Sequence, residues 1–151
     1  MRAVVQRVAR AEVIVDGRPV GAIGRGLLVL VGVGREDGPA DAAALADKVA
    51  GLRIFPDGEG RMNRSVVEVG GSVLVVSQFT LLGAVTRGRR PSFTDAAEPG
   101  HAEPLVTAVV DQLADRGIEV VTGRFRAAME VSLVNEGPVT LVIDVDGGRV
   151  V

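Results

Sequence analysis

The stretch Ala11-Glu12-Val13-Ile14-Val15-Asp16-Gly17 opens the segment that decides the fold. Three β-branched residues precede an Asp-Gly pair, which supplies a hairpin turn. Residues 20–23 then read as the returning strand, and Gly24-Arg25-Gly26 as a second turn. Residues 27–33 follow as a continuously apolar run. That run is too short for an ordinary helix and suits a buried strand. Residues 3–8 alternate weakly and read as a strand ahead of the first hairpin.

Beyond this block the period changes. Ala42, Leu45, Ala46, Val49 and Leu52 recur at helical spacing, so residues 39–52 read as a helix with Asp37-Gly38-Pro39 as its start. Pro56-Asp57-Gly58-Glu59-Gly60 is a loop, and residues 66–69 and 73–79 read as strands around Gly70-Gly71. Residues 82–99 lack a period and are rich in Gly, Pro and Arg, which makes them a long loop of the kind that often carries function. Leu105, Val109 and Leu113 share a face of a second helix over 103–116, ended by Gly117. Residues 118–121, 129–133 and 140–145 read as strands, and 147–151 as a fraying end. The expected fold is α/β in the β-rich α+β sense: a mainly antiparallel sheet with two helices, in one domain over residues 1–151.

Composition narrows the chemistry. The chain has 151 residues, 20 glycines and no cysteine, so thiolate nucleophiles, disulfides and Cys-based zinc sites are excluded. The segment Met1-Arg2-Ala3-Val4-Val5-Gln6-Arg7 has no long apolar stretch, so no signal peptide is expected, and no apolar run approaches the roughly 20 residues that cross a bilayer. A soluble cytoplasmic protein is expected. Its net charge of -2 does not fit tight nucleic-acid binding by bulk electrostatics, so any RNA contact is local. The single histidine, His101, has no identifiable triad partners and reads as an exposed helix-start residue. Asp41, Asp47, Glu98 and Glu103 read as solvated charges on or beside helices. No metal site and no cofactor motif is found.

Two segments look like a site. Ser77-Gln78-Phe79-Thr80-Leu81 ends the apolar run Val73-Leu74-Val75-Val76. It offers hydroxyls, and backbone N–H groups placed where a strand opens into a loop can face an oxyanion. Ordinary strand-end polarity is the competing reading. Asn135-Glu136-Gly137-Pro138-Val139-Thr140 lies between two expected strands. Gly tolerates unusual backbone angles and Pro fixes φ, so this corner either aims carbonyls in a set direction or is simply a turn.

Together these segments resemble the two signatures of the D-aminoacyl-tRNA deacylase family. Similar stretches occur in similar order along nearly the whole chain: Gln6-Arg7-Val8, Gly70-Gly71-Ser72, Arg90-Pro91-Ser92-Phe93, Thr122-Gly123-Arg124-Phe125 and Met129-Glu130-Val131-Ser132. Glu136 departs from the pattern, where Asp is more usual, and the tail after Asp146 is not covered. The resemblance implies a β-barrel-like core and a homodimer with active sites at the interface. It also implies release of D-amino acids from D-aminoacyl-tRNA, with glycyl-tRNA a second substrate because glycine has no side chain to exclude. Ser77, Gln78, Phe79 and Thr80 are implied as the catalytic segment, and Gly137, Pro138, Arg7 and Met129 as substrate-binding residues. Gly137-Pro138, through a cis bond, would reach the partner's pocket and reject L-amino acids. Thr80 lacks a residue to act as its base, so backbone N–H groups and the tRNA 2′-OH are the expected helpers. Arg87, Arg89 and Arg90 either contact tRNA phosphates or are a solvated basic loop. Two other classes stay open: a non-catalytic tRNA- or ligand-binding module, and an editing domain for an L-amino-acid error.

Overall fold

The computed structural model describes residues 1–151. Twelve short and long elements build a curled, half-barrel sheet covered on one face by two helices. The strands are β1 (Arg2–Val15), β2 (Arg18–Ile23), β3 (Gly26–Gly32), β4 (Phe55–Pro56), β5 (Met62–Arg64), β6 (Ser72–Ser77), β7 (Val120–Thr122), β8 (Glu130–Asp146) and β9 (Arg149–Val150). The helices are α1 (Pro39–Gly51) and α2 (Pro99–Ala114), with a 3-10 turn over Phe79–Leu82. The main sheet runs β7-β6-β3-β1-β8-β9, with β2 paired to β1. Five of the seven strand pairings are antiparallel, and β3-β6 and β6-β7 are parallel. The expected β-rich α/β class, its two helices and its antiparallel bias all hold.

Alternation along β1 explains the two cores. Ala3 and Val5 point toward the helices with Val29, Val31, Val73 and Val75, and pack on Leu45, Val49, Val109 and Leu113. Beyond Arg7 the strand curls, and Val8, Ala11, Val13 and Val15 close a smaller core with Ile23, Leu28, Leu74 and Val76. Each fully buried Val or Leu contributes about 1.5–3 kcal/mol, so these rows hold the curl. The seam where β2 approaches β7 is tight. A Cβ on Gly21 would lie 2.7 Å from the Thr122 carbonyl oxygen, so only glycine lets the two strands come this close.

Several sequence expectations change. The strands read at 3–8 and 11–15 are one strand, since the sheet bends at β1 without breaking it. Residues 66–69 form a turn, not a strand. Ser65 and Glu68 exchange hydrogen bonds across it, the Ser65 N–H to the Glu68 carboxylate at 2.6 Å and the Glu68 N–H to Ser65 Oγ at 3.2 Å. β6 stops at Ser77, so Phe79 sits on the 3-10 turn instead of in the strand. Helix α2 starts at Pro99, four residues before the expected Glu103. Pro99 fills the first helical position and Pro104 is tolerated on the exposed side of the second turn. The tail does not fray: Arg149–Val150 pairs back on β8, and the Val151 N–H donates to the Asp144 carbonyl at 2.9 Å.

Asp41 is the clearest correction among the charges. It was expected in solvent, yet it is buried at the start of α1. One carboxylate oxygen accepts from the Gly38 N–H at 2.8 Å, capping the helix, and the other accepts from the Gly148 N–H at 2.8 Å. Burial pushes this carboxyl upward, but the Gly148 and Gly38 N–H groups outweigh it and hold the group below the usual carboxylate range. Neither helix is long and apolar enough to cross a membrane.

Candidate active site

The parallel strand β6 ends at the sheet's open edge, and the 3-10 turn that follows opens a cleft of about 540 Å³. Ser77, Gln78 and Phe79 form one wall; Met129, Phe125 and Phe93 form much of the rest. Four of the expected residues, Ser77, Gln78, Phe79 and Met129, therefore meet in one cavity. Thr80 does not line it. Its hydroxyl accepts a hydrogen bond from the Gln78 side-chain amide on the exposed surface of the turn.

The turn is fixed from below. The Gln78 N–H donates to the Val31 carbonyl at 2.7 Å, and the Leu81 N–H donates back to the Gln78 carbonyl at 3.2 Å. The first N–H groups of a helical turn have no acceptor within it, and those of Phe79 and Thr80 find no backbone acceptor in the flanking loops. The Phe79 N–H is thus a free donor on a residue that lines the cleft, and the Thr80 N–H is a second free donor next to it on the turn. Phe79 is 55% exposed and meets Phe93 edge-on, with ring centroids 5.1 Å apart. The single histidine is elsewhere: His101 Nε2 lies 2.7 Å from the Asp37 carbonyl oxygen, so it is tied to the loop before α1. No group of three or more His, Asp or Glu side chains is arranged to hold a metal.

The second segment lies on a different part of the protomer. The strands expected at 129–133 and 140–145 are one long strand, β8, which begins at Glu130, and Asn135-Glu136-Gly137-Pro138 is not a hairpin turn. It is a wide bulge. Gln6 of β1 pairs with Thr140 and Val8 pairs with Asn135, so Arg7 alone faces the four residues from Glu136 to Val139. The extra length pushes Gly137 and Pro138 into solvent. The Gly137–Pro138 peptide is cis, and Gly137 has φ +126. A Cβ there would meet the Val139 side chain at 2.8 Å and an Arg7 guanidinium nitrogen at 3.1 Å. That φ and those contacts leave room only for glycine.

Arg7 supports the bulge from inside. The residue is buried, and its guanidinium donates to the Glu136 carbonyl at 3.2 Å and the Ile54 carbonyl at 2.5 Å. Asn135 staples the base. Its side-chain oxygen accepts from the Val139 N–H at 3.2 Å while its amide donates to the Thr140 hydroxyl at 2.8 Å. Neither Arg7, Gly137 nor Pro138 lines the cleft beside Phe79. Within one protomer the two signature segments do not meet. Sequence reasoning passed over Asn135, although an Asn at the edge of a Gly-Pro corner is a usual hydrogen-bonding staple. It also missed the Ile54 carbonyl, which no side-chain pattern signals.

Comparison with known proteins follows the same outline. The family model described as D-Tyr-tRNA(Tyr) deacylase matches residues 4–144. A D-aminoacyl-tRNA deacylase of Anaeromyxobacter dehalogenans is 62% identical over 144 residues, covering 95% of this chain and 97% of that one. One from Heliobacterium modesticaldum is 59% identical over 149 residues, covering 99% of both. Among solved structures, the c-Myc DNA unwinding element binding protein superposes with a TM-score of 0.89 at 38% identity, over 95% of this chain and 98% of that one. A probable eukaryotic D-amino acid tRNA deacylase shares the fold at a TM-score of 0.80 and 18% identity, over 93% and 97% of the two chains. The matched span takes in the cleft, the 3-10 turn and the β8 bulge, and the chain belongs to the D-Tyr-tRNA(Tyr) deacylase family.

Proposed function

We propose that the chain hydrolyses the ester of D-aminoacyl-tRNA in the cytoplasm, as a homodimer in which each cleft is closed by the other subunit's Gly137-Pro138 bulge. The observation that carries this reading is the separation of the two signature segments. The cleft holds Ser77, Gln78, Phe79 and Met129, while Gly137 and Pro138 of the bulge are exposed and line no part of it. A second copy supplies the missing wall. Support for an interface comes from the uncovered sheet face, where Val4 of β1 stands between Leu30 and Val142, and Val142 is 64% exposed.

The chemistry follows from what the cleft offers. Water attacks the ester carbonyl carbon, and the carbonyl oxygen takes up negative charge. The N–H groups of Phe79 and Thr80 stabilise that charge, and the tRNA 3′-oxygen leaves with a proton passed through the neighbouring 2′-OH. Thr80 takes no covalent part, because its hydroxyl is held by Gln78 and no base stands beside it. Carbonyls of the bulge receive the substrate's α-amino group and leave no space for an L-side chain. Glycine escapes this exclusion, so glycyl-tRNA is a substrate.

Release of radiolabelled amino acid from matched D-tyrosyl-, L-tyrosyl- and glycyl-tRNA tests the proposal. D-tyrosine and glycine are released and L-tyrosine stays at the buffer rate. No release of D-tyrosine above the buffer rate sinks it.

A further inference from the structure

Beside the cleft stands a hairpin whose charges nothing in the protein uses. Ala84 and Ser92 exchange backbone hydrogen bonds, at 2.8 Å and 2.9 Å, and Gly88 turns the tip with φ +69. Arg87, Arg89 and Arg90 are exposed on that tip. The protein's ion pairs are Met1–Asp37, Arg2–Asp144, Arg61–Glu59 and Arg116–Asp47, so none of the three has a carboxylate partner. A chain of net charge -2 thus places three guanidiniums within four positions with no internal compensation. Such clustering favours an external polyanion over a solvated surface of mixed charge.

The hairpin's footing ties it to the site. Phe93, directly after Ser92, meets Phe79 edge-on, and both rings line the cleft. Gly83, at the other foot, has no room for a Cβ because the Phe93 ring would lie 2.8 Å from it. The feet of the hairpin are therefore held at the cleft's rim, with the three arginines on the turn between them. We propose that Arg87, Arg89 and Arg90 bind the phosphodiester backbone of the tRNA acceptor arm while its 3′ end occupies the cleft. This rests on the deacylase reading and extends it. Guanidiniums recognise phosphate oxygens through charge-assisted hydrogen bonds and carry no base information. The grip is accordingly indifferent to which tRNA is bound.

The test uses the triple variant Arg87→Gln/Arg89→Gln/Arg90→Gln, its Arg→Lys counterpart and the unaltered protein. Binding of uncharged tRNA is followed by fluorescence anisotropy from 50 to 200 mM salt, and D-tyrosyl-tRNA deacylation is followed in parallel. Each phosphate contact contributes about 0.7–0.9 to the slope of log affinity against log salt, so three contribute about 2–3. The Gln variant loses that much slope, which corresponds to about 20–40-fold less weakening across the fourfold salt range. Its KM for D-tyrosyl-tRNA rises while kcat holds, and the Lys variant keeps most of the slope. A Gln variant with unaltered slope and KM overturns the proposal, as does a change in its molecular mass, which would make the hairpin a subunit contact. Anisotropy needs no turnover, so failure of the deacylase reading is seen separately as absent release by the unaltered protein.

Discussion

Replacing Arg7 removes the one side chain that faces the bulge across β1. Its guanidinium bridges the Glu136 and Ile54 carbonyls from a buried position, so Arg7→Ala breaks two charge-assisted hydrogen bonds and opens a void beneath Gly137. A hydrogen bond to a charged group contributes about 1.5–3 kcal/mol, which puts the combined loss at about 3–6 kcal/mol. Domains of this size have about 5–15 kcal/mol in all, so the alanine variant stands near its unfolding limit. Arg7→Lys is the sharper probe. Its ammonium reaches one carbonyl and lacks the planar fork that spans both, so about half the loss is expected, about 1.5–3 kcal/mol. Guanidinium-chloride unfolding reads the stability, and matched D- and L-tyrosyl-tRNA deacylation reads the geometry. A merely structural arginine would lower the midpoint and leave discrimination alone. A positioning arginine also lets L-tyrosine release rise above the buffer rate, because the bulge above it loosens. An Arg7→Lys variant with the native midpoint and the native D-to-L ratio would refute the assignment.

Three further outcomes are expected. Thr80→Ala retains deacylation to within about tenfold, because the hydroxyl serves only the Gln78 side chain; near-complete loss in single-turnover assays would make Thr80 a nucleophile. Asp41→Asn lowers stability at neutral pH by about 1–3 kcal/mol, since a buried cap of two N–H groups loses its charge. The Asp41 carboxyl is held below its unfolded value of about 3.9, so its contribution is present above that pH and disappears as pH falls through the folded value. Unfolding curves of the native and Asn forms should therefore converge on acidification, and a constant gap would contradict the linkage. Val142→Asp places a charge on the uncovered sheet face, and light scattering should report a monomer that no longer deacylates; an active dimer would remove that face from the interface.

What the sequence revealed tracks where local rules act alone. The Asp16-Gly17 hairpin, the buried run of β3 and the helical face of Leu45 and Val49 were legible because turn chemistry and period settle them. Residues 66–69 misled because Val66, Val67 and Val69 carry strand propensity, while a Ser65–Glu68 exchange of hydrogen bonds turns the backbone instead. Asp41 misled for a related reason: its partner Gly148 lies 107 residues away, and sequence shows no such pairing. At the site, the cleft half was legible as polar residues ending an apolar strand. The bulge half was legible only as a corner. Whether Gly137-Pro138 closes a hairpin or swells a strand depends on the register of β1 against β8, which is a tertiary fact.

That register also bears on how a chain with so few candidate catalytic side chains would carry out the proposed selective chemistry. A hairpin tip would leave Gly137 and Pro138 anchored by their neighbours alone. Placed inside a 17-residue strand, the same residues are held at both ends by ladder bonds, at the base by Asn135, and from beneath by Arg7. The bulge is solvent-exposed and held on three sides, a combination that suits the proposed entry into another subunit. The 3-10 turn proposed to be catalytic is built on the same plan, with Gln78 pinned to Val31 and two free N–H groups beyond it. In both places the fold fixes backbone groups, and the proposed mechanism takes its reacting hydroxyl from the tRNA and its nucleophile from water. On the proposed reading, exclusion of L-amino acids depends on rigidity and not on affinity, which is why the decisive measurement on Arg7 is the D-to-L ratio and not the rate alone.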